Sequence, residues 1–150
     1  MQPHPAFADR EIPREVALGA FRLRWLTVDD LEEDYRAVME SAAALSAIGD
    51  GGWPTGLTRE ADLIDLAWHQ REFQARRSFA WIIEDGAGAY LGCAYVNPSI
   101  AGLAECQVWY WFRSGLSPAP DAAAFRAAFM GWLAGPPWPD LEMRLTAHVP

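Results

Sequence analysis

The stretch Leu103-Ala104-Glu105-Cys106-Gln107-Val108-Trp109-Tyr110-Trp111-Phe112-Arg113-Ser114-Gly115 constrains this chain more than any other. Glu105, Gln107, Trp109, Trp111 and Arg113 fall on alternate positions, with Ala104, Cys106, Val108, Tyr110 and Phe112 between them. A strand sends successive side chains to opposite faces. This strand therefore carries an apolar face and a polar-aromatic face, and both core and chemistry depend on it.

The chain has 150 residues, of which 51% are hydrophobic and 8 are Trp, enough for one domain with a substantial core. The net charge is -8, and there is no basic run to meet a nucleic acid. All 12 basic residues are Arg, so a phosphate-loop lysine, a Schiff-base lysine and a lysine base are excluded. Two cysteines, Cys93 and Cys106, are too few for a disulfide scaffold, and a reducing cytoplasm is the expected compartment. No apolar run reaches the length of a membrane span, and residues 1–20, with five charges among them, lack the apolar segment of a secretory signal.

Residues 1–20 contain Pro3, Pro5 and Pro13 and read as an N-terminal arm preceding a single domain, 21–150. A strand is expected from Phe21 to Thr27. Thr27 then caps a helix whose apolar row Leu31, Tyr35, Val38, Ala42 and Leu45 reaches Ile48. Residues 49–56 hold four glycines and Trp53. No strand leads in and no lysine follows, so this is a loop that could line an acceptor site rather than a phosphate cradle. Thr58 caps a second helix, where His69 sits between Asp65 and Glu72 and reads as a surface histidine among acids. Strands at 79–84 and 90–96 flank a hairpin turn at 85–88. A hairpin centred on 97–102 would set Cys93 near Cys106, both as buried thiols. A third helix from Asp121 to Leu133 and a last strand at 142–149 complete the order.

That order, with Phe21-Arg22-Leu23-Arg24 opening the first strand and Gln107-Val108-Trp109-Tyr110-Trp111-Phe112 in the fourth, resembles the GNAT superfamily of N-acetyltransferases. The resemblance covers roughly residues 21–149. It implies an α+β fold: a mixed, mostly antiparallel five-stranded sheet flanked by three helices and splayed between its fourth and fifth strands. It also implies acetyl-CoA as cofactor, the pantetheine arm bonding the open strand edge and the pyrophosphate resting on N–H groups at the following helix start. Trp111, Phe112, Arg113, Ser114 and Gly115 are the positions that would hold it. A carboxylate on the fourth strand would take the acceptor amine's proton.

The carry-over is incomplete. The glutamate common before the apolar-x-Tyr-Trp segment is replaced by Gln107, which leaves Glu105, two residues earlier on the same face, as candidate base. As a strand-surface carboxylate, Glu105 has an alternative role as the partner of an arginine. Only Gly115 matches the phosphate loop. Pro118 and Pro120 lack N–H donors, and Asp121 brings negative charge to the helix start. The family's further helix and two strands beyond the last strand have no counterpart here, so no tyrosine acid is inherited. The last strand's free edge calls for a cover, from residues 1–20 or from the second copy of a homodimer.

Two functions follow. One is an N-acyltransferase moving an acetyl group to an amine of a small molecule or protein, with Glu105 as base and Trp53, Gln107 and Trp109 binding substrate beside Trp111. The other is a non-catalytic GNAT-like module for ligand binding or dimerisation. No metal, nucleic acid or membrane is expected as a partner; His4, His69 and His148 show no ligand spacing.

Overall fold

Alternating residues drive the first pairing. In β2 (Phe21–Trp25) Phe21 and Leu23 point inward and Arg22 outward. β2 folds back antiparallel on β1 (Glu15–Leu18) through a tight turn at Gly19, whose φ of 62° suits glycine. The structure, a computed structural model, describes residues 2–48, 52–101 and 104–149. β1 lies in what the sequence suggested was an irregular arm, and it makes the sheet six-stranded where five strands were expected. Four residues of mixed polarity gave no period to read. Their strand state comes from pairing with β2.

The remaining strands are β3 (Phe79–Glu84), β4 (Tyr90–Pro98), β5 (Glu105–Phe112) and β6 (Glu142–Val149), and the six lie in chain order across the sheet. All pairs are antiparallel except β5–β6, which is parallel. The crossover between those two is α4 (Ala122–Leu133). Asp121 caps it by accepting from Ala124 N at 2.9 Å.

The first expected helix is broken. A 3-10 turn at Val28–Asp30 leads into α1 (Leu31–Glu40), and the chain steps at Ser41 into α2 (Ala42–Ile48), so four α-helices stand where three were expected. Asp30 accepts from Thr27 N and Oγ1 at the entry. Thr58 caps α3 (Arg59–Gln74) as expected, accepting from Ala61 N at 3.1 Å.

Two cores result. α4 and residues 4–13 cover one sheet face, where Phe7, Trp81, Tyr110, Phe125 and Phe129 pack together. α1, α2 and α3 cover the other, over Ile82, Cys93, Tyr95 and Trp111. The leading residues are pinned: Trp81 Nε1 donates to Pro13 O, and Arg10 donates to Pro137 O. After them β1 extends the sheet edge opposite β6, so this segment adds no strand to β6 as one expectation had it.

Cysteine placement is also corrected. β4 runs on to Pro98, which faces Cys106, while Cys93 faces Trp111. The register is five residues from the expected one. An odd shift puts the two thiols on opposite faces, and both are free and buried.

Candidate functional site

The β4–β5 ladder assembles the site. It sets Tyr95 opposite Trp109, Asn97 opposite Gln107 and Cys93 opposite Trp111. Tyr95 and Trp109 stack face to face, with ring centroids 4.0 Å apart and planes 10° from parallel. Trp111 is fully buried and its indole N–H donates to Tyr95 Oη at 3.3 Å. Of the three tryptophans expected to line a pocket, Trp53 and Trp109 do so and Trp111 is core.

A cavity of about 390 Å³ opens beside Trp109, with Trp53, Gln107, Asn97, Thr146 and Ile48 in its walls. Trp53, Gln107 and Trp109, chosen from sequence as substrate-binding, thus share one cavity. Asn97, Thr146 and Ile48 were missed. Finding Asn97 and Thr146 required the β4–β5 and β5–β6 registers, and finding Ile48 required the packing of α2, none of which is local in the sequence.

Glu105 stands at the start of β5, half-buried, with Arg144 Nη2 3.3 Å from its Oε2. That arginine pairing is the alternative role weighed for it from sequence.

The expected splay is absent. β6 pairs with β5 from Glu105–Glu142 through Trp111–Val149, with one register shift between Val108 and Trp109. At the shift Thr146 Oγ1 donates to Val108 O at 3.3 Å, a side chain serving a carbonyl in the ladder. Because seven of the eight β6 residues pair with β5, backbone pairing closes the gap.

The residues expected to hold pyrophosphate are engaged within the chain. Arg113 Nε donates to Glu40 Oε2 at 2.7 Å, and Glu33 lies 3.7 Å from its Nη1. Ser114 N donates to Ser41 Oγ at 2.9 Å. Gly115 turns the chain at φ 76°, Phe112 is buried, and the start of α4 is occupied by its own Asp121. As arranged, the cation of this seat is neutralised by Glu40 and the Ser114 N–H is used, so a pyrophosphate would have to displace Glu40 to reach Arg113.

Beneath Tyr95 lies a buried polar chain that sequence did not signal. Tyr90 Oη–H donates to Asp34, Cys93 Sγ lies 2.8 Å from Tyr90 Oη, and Asp34 is hydrogen-bonded in turn to Asp62. Burial pushes the Asp34 carboxyl up, partly offset by donation from Tyr90 and Cys93. Burial and the carboxylates of Asp34 and Asp65 push Asp62 up to about 7. Burial likewise raises Tyr90, Cys93 and Tyr95 well above their usual ranges. His69, expected at the surface, is tucked inward: its ring lies 5.4 Å from Tyr95 and its Nε2 3.5 Å from Asp65. Among the described residues no three His, Cys, Asp or Glu side chains gather as metal ligands.

No family model matches the chain, and no curated protein matches it. Solved structures do. A RimL ribosomal L7/L12 alpha-N-protein acetyltransferase in complex with coenzyme A superposes with a TM-score of 0.67 at 16% identity, over 80% of this chain and 67% of that one. The chain has the GNAT fold. The microcin C7 self-immunity acetyltransferase MccE, solved with acetyl-CoA and AMP, gives 0.66 at 11% identity over 82% of this chain and 66% of its own. RimJ of Mycobacterium smegmatis, in complex with CoA-disulfide, gives 0.60 at 19% over 87% and 63%. The chain thus spans about two thirds of the length of these proteins. Within this GNAT fold, β5 supplies Gln107 and Trp109 to the cavity and delivers Arg113 to the start of the α4 connection.

Proposed function

We propose that the chain is a GNAT-type N-acyltransferase that moves an acetyl group from acetyl-CoA to the amine of a small molecule or peptide. The observation that carries this reading is the cavity holding Trp53, Gln107 and Trp109 beside the one irregularity in the β5–β6 ladder. It sits on a fold shared with acetyltransferases solved with coenzyme A. Acetyl-CoA, when bound, supplies the thioester, and the chain's own residues supply the rest. Trp109, braced by Tyr95, offers a flat apolar wall, and the Gln107 amide can orient an amine by hydrogen bonding. Glu105, two residues along on the same face, takes the amine's proton after leaving Arg144. That release costs little, because Arg144 is exposed and ion pairs at the surface contribute only about 0.2–1 kcal/mol.

A second reading, a non-catalytic ligand-binding or dimerising module, is favoured by the occupied seat at Arg113 and Ser114 and by the paired β5–β6 edge. Calorimetric titration with acetyl-CoA separates the two. Saturable binding supports transfer, and absence of heat at millimolar cofactor supports the module. Given binding, Glu105→Gln should lower turnover while leaving cofactor affinity unchanged.

Among the described residues the outer edge of β6 has no strand partner. We infer that a second copy covers it, giving a homodimer in the cytoplasm. A monomeric mass by sedimentation would refute the dimer. No helix of the described residues is long and apolar enough to cross a membrane.

A further inference from the structure

We propose that a second cavity, about 580 Å³ between α3, β4 and the leading residues, binds a neutral planar molecule carrying N–H donors, as an aromatic primary amide or a nucleobase does. The site adjoins the acceptor cavity, sharing Asn97 and Trp109 with it, but Trp53, Gln107 and Thr146 line only the smaller one. The inference therefore stands whether or not acyl transfer does.

Shape comes from four rings in succession. Trp68 meets His69 edge to face at 5.0 Å, His69 lies 5.4 Å from Tyr95, and Tyr95 stacks on Trp109. All four line the cavity. Trp68 is 43% exposed, a large indole on α3 left facing the opening rather than packed. Flat apolar walls of this kind favour a flat ligand. The leading residues close one side. His4 N donates to Arg76 O, His4 Nδ1 accepts from Ala6 N, and its Nε2 is left to donate to Ser99 O at 3.2 Å.

Polarity comes from two buried atoms on lining residues. Glu72 Oε1 and Ser78 Oγ have no hydrogen-bond partner, and both side chains are more than nine-tenths buried. Buried polar groups normally find partners, and each exception calls for an explanation. A ligand N–H would answer both, since carboxylate and hydroxyl oxygens accept.

Charge selects neutrality. Glu72 Oε2 is paired with Arg77 Nε at 2.9 Å, and Arg71 Nη2 lies 3.3 Å from Oε1 outside hydrogen-bond geometry. Of the lining residues, only Glu72 and Arg77 are a carboxylate and an arginine, and they are paired with each other. A cation would meet Arg77, and an anion would meet Glu72 at the oxygen that has no hydrogen bond.

The test uses three ligands with one ring and three charges: benzamide, benzoate and benzamidinium. Ligand-observed NMR on the full chain should show benzamide saturating with a dissociation constant of about 5 mM or below, the range open to so small a molecule. Benzoate and benzamidinium should bind at least about tenfold more weakly. Trp68→Ala and Ser78→Ala should each weaken benzamide by about fivefold or more, with folding checked by circular dichroism, while Trp53→Ala leaves it unchanged. Three outcomes overturn the site: no saturation of benzamide by about 50 mM, equal binding of all three ligands, or loss on Trp53→Ala matching that on Trp68→Ala.

Discussion

Trp109 lies flat on Tyr95, 4.0 Å between ring centres, and through that contact β4 fixes the indole that both cavities share. Trp109→Ala removes a half-buried ring and its stacking contact with Tyr95. We expect a loss of about 2 kcal/mol, or roughly 6 °C in Tm for a chain of this size. Ligand binding in both cavities should fall in the same variant. Thermal melting and benzamide titration check the two effects separately.

Glu40 holds Arg113 through a single hydrogen-bonded ion pair, and the arginine in turn holds the Glu40 carboxyl below the usual carboxylate range. If acetyl-CoA binds, Glu40→Gln releases the guanidinium toward the pyrophosphate. Affinity should then rise by about threefold, the scale of a surface ion pair, and should become more sensitive to salt. Unchanged affinity would show that Arg113 plays no part in cofactor binding.

Asp62 holds its proton in the folded chain up to about pH 7, whereas an unfolded aspartate loses it near 3.9. Asp34, its hydrogen-bonded neighbour, is shifted in the same direction. The folded state thus binds more protons between these limits, so this pair's stabilising contribution is full below about pH 4 and is lost as pH rises through about 7. Asp62→Asn should flatten the dependence of Tm on pH over that range and raise Tm at pH 8. A steeper slope in the variant would contradict the assignment.

Gly92 sits opposite Phe112, and a Cβ built on it would lie 1.9 Å from the Trp111 carbonyl oxygen. That neighbour is backbone within a strand, so β5 itself would have to move. Gly92→Ala should cost about 3 kcal/mol and weaken binding at Trp109 through the same ladder. Gly86→Ala, with open space around its Cβ position, is the control.

Much of the architecture was legible because its elements announce themselves locally. Thr58 before an acidic first turn, Asp121 before Ala122–Leu133, and the alternation from Glu105 to Phe112 each sit where the sequence placed them. Trp53, Gln107 and Trp109 could be grouped in advance because face and loop position suffice to bring them together. What failed was non-local. β1 exists by pairing, the β4–β5 register depends on one turn, and the pairing of β6 along β5 depends on how far two distant strands stay in step. The Asp34–Asp62–Tyr90–Cys93 chain joins two helices and a strand. Its members look like ordinary surface acids and strand residues until the helices are laid on the sheet.

The division of β5 into two unlike sides has an evolutionary consequence. Cys106, Val108, Tyr110 and Phe112 belong to the packing under α4, while Gln107 and Trp109 look out onto the hollows. Replacements at Gln107, the exposed member, can therefore retune which molecules are admitted without disturbing the aromatic interior one residue away. A lineage of such chains could diversify its ligands by drift at one position of a single strand.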